Sequence, residues 1–267
     1  MPIVTGFGQG VIHAALPSQR IFSPLSISGL QLWLSSRYAS SMLQERSSAT
    51  TLASANGDPI GTWQDLSGNA RHVTTPTSDT KRPTLGTSSQ NGLPGVVFDG
   101  TDDAMARSFG LLASVSSYSL FMVFRSNTLA GSAACVLANN GNLFSGYRTS
   151  GNQIRSYPSS AAYAASTLSY SDDAAYIFCD KFDGSGSGNA GRFSRFKNGA
   201  AETLTFAGTV PATTAAATAF NIGGTSDTGN LWKGQIYEIL AYTPVLSDGQ
   251  RQQVERYLGA AWGITLS

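Results

Sequence analysis

Trp232-Lys-Gly-Gln-Ile-Tyr-Glu-Ile-Leu-Ala-Tyr242, with Ser247-Asp-Gly-Gln-Arg-Gln-Gln-Val-Glu-Arg-Tyr-Leu-Gly-Ala-Ala-Trp-Gly-Ile264 close behind it, decides how the rest of the chain is read. The first run is a strand and the second an amphipathic helix. Val254, Tyr257, Leu258, Ala261 and Trp262 stand at i, i+3, i+4, i+7 and i+8, one apolar stripe on a helical period. Ser247 with Gln250 three residues on forms a capping-box start, and Gly263 supplies the stop.

Upstream there is no alternation of strand and helix. Strand-like runs follow one another at Leu30 to Leu34, Gly61 to Gln64, Gly95 to Asp99, Tyr118 to Arg125, Ala134 to Ala138, Ala175 to Phe182, Arg192 to Lys197, Phe220 to Gly223 and Gln235 to Tyr242. Ser67-Gly-Asn69, Asn91-Gly92, Asp99-Gly100, Asn140-Gly141, Asp183-Gly184 and Asn198-Gly199 punctuate them as turns. Leu120-Phe-Met-Val-Phe124 is apolar on both faces, which marks a central strand covered on both sides. Many short strands, polar turns and one closing helix read as an all-β jelly-roll sandwich with a C-terminal helix. The Ala-, Ser- and Thr-rich stretches Ser159 to Ser171 and Thr209 to Ala219 read as surface loops or loosely ordered strands.

Residues 1–28 stand apart as an extended N-terminal arm, and 29–267 form the jelly-roll domain. The arm is rich in Gly, Pro and Ser and has no sustained period. Its Ile3, Val4, Phe7, Val11, Ile12, Ile21 and Phe22 are costly to leave in water, so they are expected against the domain or a neighbouring subunit. The N-terminus lacks the basic and apolar regions of a signal peptide, and no run approaches a membrane span. A soluble chain made in the cytoplasm, without membrane insertion, is the expectation.

With 12% charged residues, about half the usual fraction, and abundant small side chains, the composition suits close subunit contacts. A formal net charge of +1 and the lack of any basic cluster speak against nucleic acid as a partner. Cys135 and Cys179 sit in apolar, strand-like contexts and read as buried free thiols, with a disulfide left open.

Several stretches in order carry a resemblance. Leu30-Gln-Leu-Trp-Leu34, Trp63-Gln-Asp-Leu-Ser-Gly-Asn69 with His72, Arg82-Pro-Thr-Leu85, Asn91-Gly-Leu-Pro-Gly-Val-Val-Phe-Asp-Gly-Thr-Asp-Asp103, Phe220-Asn-Ile-Gly-Gly224 and the closing strand and helix make up the series. Over residues 28–264 the chain resembles the laminin-G-like, concanavalin A-like lectin/glucanase jelly rolls found in phage and bacterial surface proteins. Such domains often carry Asp after the Leu-Trp-Leu strand. Ser35 and Ser36 stand there in this chain, which would weaken any ion site at that point.

The resemblance, with the arm, implies a non-enzymatic bacteriophage virion protein: a capsid decoration, head-fibre or tail component. Its partners would be other virion proteins through the arm, and it would form a homo-oligomer, a trimer among the options. The alternative is a carbohydrate-binding lectin for host-surface glycans, at a cell surface or outside the cell. An aromatic sugar platform would draw on Tyr147, Tyr157, Tyr163, Tyr170 and Trp232, which read as lying in or near loops; Tyr163 and Tyr170 are the leading candidates. Trp33, Trp63 and Trp262 read as core anchors.

Candidate chemistry is thin. Related glycanases carry Glu-x-Asp-x-x-Glu on one strand, whose spacing puts carboxylates on one face. Here Glu238 has only Ile236 and Leu240 on its face, and Asp180 and Asp183 face opposite ways. A glycanase is therefore the third reading, with Glu238 as its only acid. His72 reads as a structural hydrogen-bonding residue, and nucleophile-elbow, phosphate-loop and zinc motifs are missing. Two turns pack oxygen donors: Asp65 with Asn69, and Asp99 with Asp102 and Asp103. They can hold a structural calcium, or the same side chains can cap their own turns. No other cofactor is expected.

Overall fold

The computed structural model describes residues 22–48, 50–127, 134–140, 143–149, 153–168, 170–226 and 228–267. It is a two-sheet antiparallel sandwich with one long helix, as the strand and turn pattern predicts. The arm residues Ile3, Val4, Phe7, Val11, Ile12 and Ile21 lie outside the described residues.

The first sheet runs Ala200–Ala201 (β15), Phe193–Lys197 (β14), Ala175–Asp183 (β13), Ser117–Ser126 (β8), Lys233–Tyr242 (β18), Leu93–Asp99 (β6) and Thr84–Gln90 (β5), with Leu30–Ser35 (β1) also on β18. The second runs Leu204–Ala207 (β16), Ala162–Ser166 (β12), Ile154–Ser159 (β11), Leu143–Arg148 (β10), Leu137–Asn139 (β9), Phe220–Ile222 (β17), Met105–Arg107 (β7), Val73–Thr74 (β4), Thr62–Trp63 (β3) and Met42–Leu43 (β2). Asn91-Gly92 joins β5 to β6 and Asn198-Gly199 joins β14 to β15. All four residues have positive φ (50°, 72°, 48° and 87°), the backbone that tight hairpins require.

The central strands β8 and β18 of the first sheet are buried on both faces. Leu120, Met122 and Phe124 of β8 point to the inter-sheet core with Phe178, Trp232, Ile236 and Ile239, while Phe121 and Val123 point the other way. That outer face meets the Asp248–Trp262 helix (α2; the five-residue Gly188–Arg192 helix is α1). Val254, Leu258 and Trp262 are fully buried there against Trp33, Tyr237 and Leu240. Val254 and Leu258 each contribute roughly 1.5–3 kcal/mol by leaving water. The capping box predicted at Ser247 and Gln250 has both of its hydrogen bonds, and Gly263 ends α2 in the left-handed conformation at φ 64°. Phe22 and Ile27 join this outer core, Phe22 with its ring centroid 5.7 Å from that of Tyr257. The last arm residues thus lie on their own domain.

Strand β18 changes partners at a bulge. Up to Ile236 it pairs with β6, and from Glu238 onward it pairs with β1. The carbonyl of Tyr237, between the two, accepts hydrogen bonds from Ser36 N (3.0 Å) and Ser36 Oγ (3.0 Å). The serines that stand where relatives carry Asp are fully buried, and Ser36 also donates to Pro94 O at 2.7 Å. This position is a backbone clasp.

Glu238 is the polar centre of the outer core. Its carboxylate accepts hydrogen bonds from Trp33 Nε1 (2.7 Å) and Trp262 Nε1 (2.8 Å), and from the Tyr257 hydroxyl (3.0 Å). Burial raises its pKa, and the three donors and Arg37 pull it back. The acid suggested for a glycanase is sealed between β1, β18 and α2, where it meets no substrate. Glu238→Gln replaces one acceptor oxygen with a donor and leaves an indole or phenol unpaired. The variant is expected to lose about 1–3 kcal/mol, read as a lower urea midpoint with an unchanged slope; a midpoint equal to wild type would show that the clamp adds nothing.

Candidate functional site

Strand β11 is built by the rule of alternation. Ile154, Ser156 and Pro158 are buried, while Arg155, Tyr157 and Ser159 lie partly exposed on the other side. What pins the strand is a buried ion pair. Asp180 and Arg195 stand directly opposite in the β13–β14 hairpin, and Arg195 Nε lies 2.6 Å from Asp180 Oδ1. Arg195 Nη1 donates to Ile154 O at 3.0 Å, and Ser156 Oγ bonds to both members of the pair. The pair therefore reaches across the sandwich to β11 and fixes which of its residues face out.

On that outer face Tyr157 meets Tyr163 of β12, with ring centroids 5.4 Å apart and planes tilted by 47°. The Arg155 guanidinium carbon lies 4.4 Å from the Tyr163 ring centroid. On the β12 and β16 side the paired positions are small, Ala165 opposite Arg155 and Ala207 opposite Tyr163, while on the β10 side Phe144 pairs with Tyr157 and Tyr147 with Arg155. No helix among the described residues packs on this face, whereas the outer face of the first sheet is filled by α2. Two tyrosine rings and a guanidinium thus stand together on strands.

The structure separates the other predicted aromatics. Tyr170 is buried between the sheets, its hydroxyl bonded to Glu202 and its ring 5.3 Å from Phe178. Trp232 is fully buried edge-on to Phe124, with centroids 5.3 Å apart. Neither offers a surface platform, which corrects both readings. Their polar tips hid the amount of ring that the core needed. Tyr147 lies on β10 opposite Arg155, and its side chain falls outside the described residues. Tyr147, Tyr157 and Tyr163 are on strands, not in loops.

The oxygen-rich turns also part ways. Asp65 Oδ1 accepts from Trp33 N (2.9 Å) and Ser67 N (2.9 Å), and Oδ2 accepts from Ser67 Oγ (2.8 Å) and Arg71 N (3.0 Å). Asn69 Nδ2 donates to Leu30 O (2.9 Å), and His72 Nδ1 accepts from Asp65 N (2.9 Å). This turn is consumed in capping itself and tying down β1. Asp99, Asp102 and Asp103, by contrast, bring one carboxylate oxygen each within 4.8 Å of one another, a donor set that suits a hard cation.

A separate polar crevice of about 410 Å³ is lined by Glu45, Arg46, Thr74, Asp79 and Arg82 among others. Hydrogen bonds from Thr51 and Thr50 hold the Glu45 carboxyl down at about 2, so it is ionised at any ordinary pH. Both cysteines are free and buried; burial pushes the Cys135 thiol up to about 12 and Cys179 well up. Neither is a nucleophile at neutral pH. No described helix is long and apolar enough to cross a membrane.

No protein-family model and no curated sequence matches the chain. Solved structures do share its fold. Trypanosoma rangeli sialidase superposes with a TM-score of 0.57 at 15% identity, over 90% of this chain and 34% of the sialidase. Domain 4 of AbnA, a GH43 extracellular arabinanase from Geobacillus stearothermophilus, solved in complex with arabinotriose, gives 0.56 at 16% identity, over 85% of this chain and 98% of that domain. A GH54 α-L-arabinofuranosidase gives 0.56 at 15% identity, over 86% and 62%. The chain therefore spans about a third of the sialidase and under two thirds of the arabinofuranosidase. None of the three is a virion protein. The expectation of a non-enzymatic chain is corrected by these neighbours, which are glycosidases or a domain of one; the fold gives no ground for excluding catalysis.

Asp103 yields a pH signature. Burial, with the charges of Asp99 and Asp102 beside it, pushes its carboxyl up to about 7 against the hydrogen bond from Asp99 N. Below about pH 4 the group is protonated in both folded and unfolded chains and adds nothing. As the pH rises to about 7 the unfolded chain ionises first. Stability should therefore fall across that window, by an amount on the order of a few kcal/mol, with chelator present. Urea midpoints of Asp103→Asn should stay level where wild type declines; parallel curves would remove Asp103 as the cause.

Proposed function

We propose that the protein binds carbohydrate on the outer face of its second sheet, with Tyr157 and Tyr163 as the stacking platform. The observation that carries this is the position of those rings: 5.4 Å apart and partly exposed on the face away from the core. A core tyrosine buries its ring, as Tyr170 does. Tyr157 and Tyr163 are instead partly exposed and join apolar rings to polar tips, the chemistry that meets the C–H face of a sugar while its hydroxyls stay hydrated. Strand positions keep the rings in place, so little order is lost on binding. The arabinanase domain matched along 98% of its length was solved with arabinotriose, which supports the reading and supplies the first probe.

Titration calorimetry of the full chain with arabinotriose and a panel of neutral oligosaccharides tests it. Tyr163→Ala is expected to weaken the best ligand by roughly tenfold or more, the effect of truncating an aromatic anchor. Tyr170→Phe, which alters only the core, should leave the affinity near wild type. Equal affinity in wild type and Tyr163→Ala, or no ligand in the panel, would end the proposal. Following reducing ends in the same incubations reads hydrolysis directly. Cleavage lost in Glu45→Gln would add catalysis and place it at the polar crevice.

A further inference from the structure

No ion pair among the described residues involves Arg155. Among the described residues its Nε is buried and has no hydrogen-bond partner, and its contact is the Tyr163 ring at 4.4 Å. Several other arginines are tied into the fold. Arg195 is paired with Asp180, Arg251 with Glu255, and Arg192 donates to the carbonyls of Gly186 and Val210. Among the described residues Arg155 makes no such bond, and it sits beside the Tyr163 ring.

The guanidinium lies over the Tyr163 ring, and the buried Nε leaves the two terminal nitrogens as the donors a ligand can reach. Two parallel N–H donors on a planar cation match a carboxylate, and an aromatic face beside them matches a sugar ring. We infer that the preferred ligand is an acidic saccharide, a sugar whose carboxylate is held by Arg155 while its ring stacks on Tyr163 and Tyr157. The inference rests on the carbohydrate reading of the same face. With a net charge of +1 the chain has no long-range field to favour acidic glycans, so the preference must come from this contact.

The test compares uronate tetramers (galacturonate, glucuronate and mannuronate) with their neutral methyl esters, by calorimetry at physiological salt on the full chain. Wild type should bind at least one acid form about tenfold more tightly than its ester, the gain of a charge-assisted pair. Arg155→Gln should bring that ratio to about one. Arg155→Lys, which keeps the charge without the fork, should retain only part of it. An acid-to-ester ratio near one in wild type would overturn the inference, and so would a preference that survives Arg155→Gln. If esters or neutral sugars still bind and Tyr163→Ala abolishes this, the carbohydrate reading stands without the acidic preference. If no acidic or neutral sugar binds, both fall.

Discussion

Strand β18 cannot show either face to water, and most of the architecture follows from that. Its inner residues Ile236 and Ile239 need the second sheet, and its outer residues Tyr237 and Leu240 need α2. One polar side chain, Glu238, falls on the outer side. It is tolerated because three donors converge on it, two from tryptophans that are themselves apolar cover. An isolated buried carboxylate would be prohibitive; a carboxylate that fastens β1 and α2 to one strand is a clamp. The bulge beside it lets β6 and β1 share one edge of β18.

The second sheet has less apolar substance and depends on a polar tie. Asp180 and Arg195 satisfy each other across a hairpin and then reach Ile154 and Ser156 on the opposite sheet. Breaking one member of such a pair typically costs about 3–5 kcal/mol because the other charge stays buried. Its geometric consequence matters more for function. With Ile154 and Ser156 held inward, Arg155 and Tyr157 have only the outer face to occupy.

The first sheet was legible because its signals are strong: long apolar runs, a both-faced central strand, Asn-Gly turns and a capped helix. The second was not. Ala162–Ser166 carries alanine and serine at buried positions, so nothing in its hydrophobic period separates it from a loop. Pro158 interrupts β11, and the pairing with β12 shifts register there. The same weakness blurred the aromatic candidates. Tyr163 and Tyr170 stand in equally bland surroundings, and only the fold sends one out and the other in.

Cations lie over aromatic rings at several places in this fold, and Arg155 over Tyr163 is the one that stands on the outer face of the second sheet beside Tyr157. Lysine would remain hydrated and mobile at that point, whereas a guanidinium stacked on Tyr163 stays planar and in register with the ring. The outer face thereby joins an apolar surface to a fixed pair of donors, on strands whose positions the core has already set.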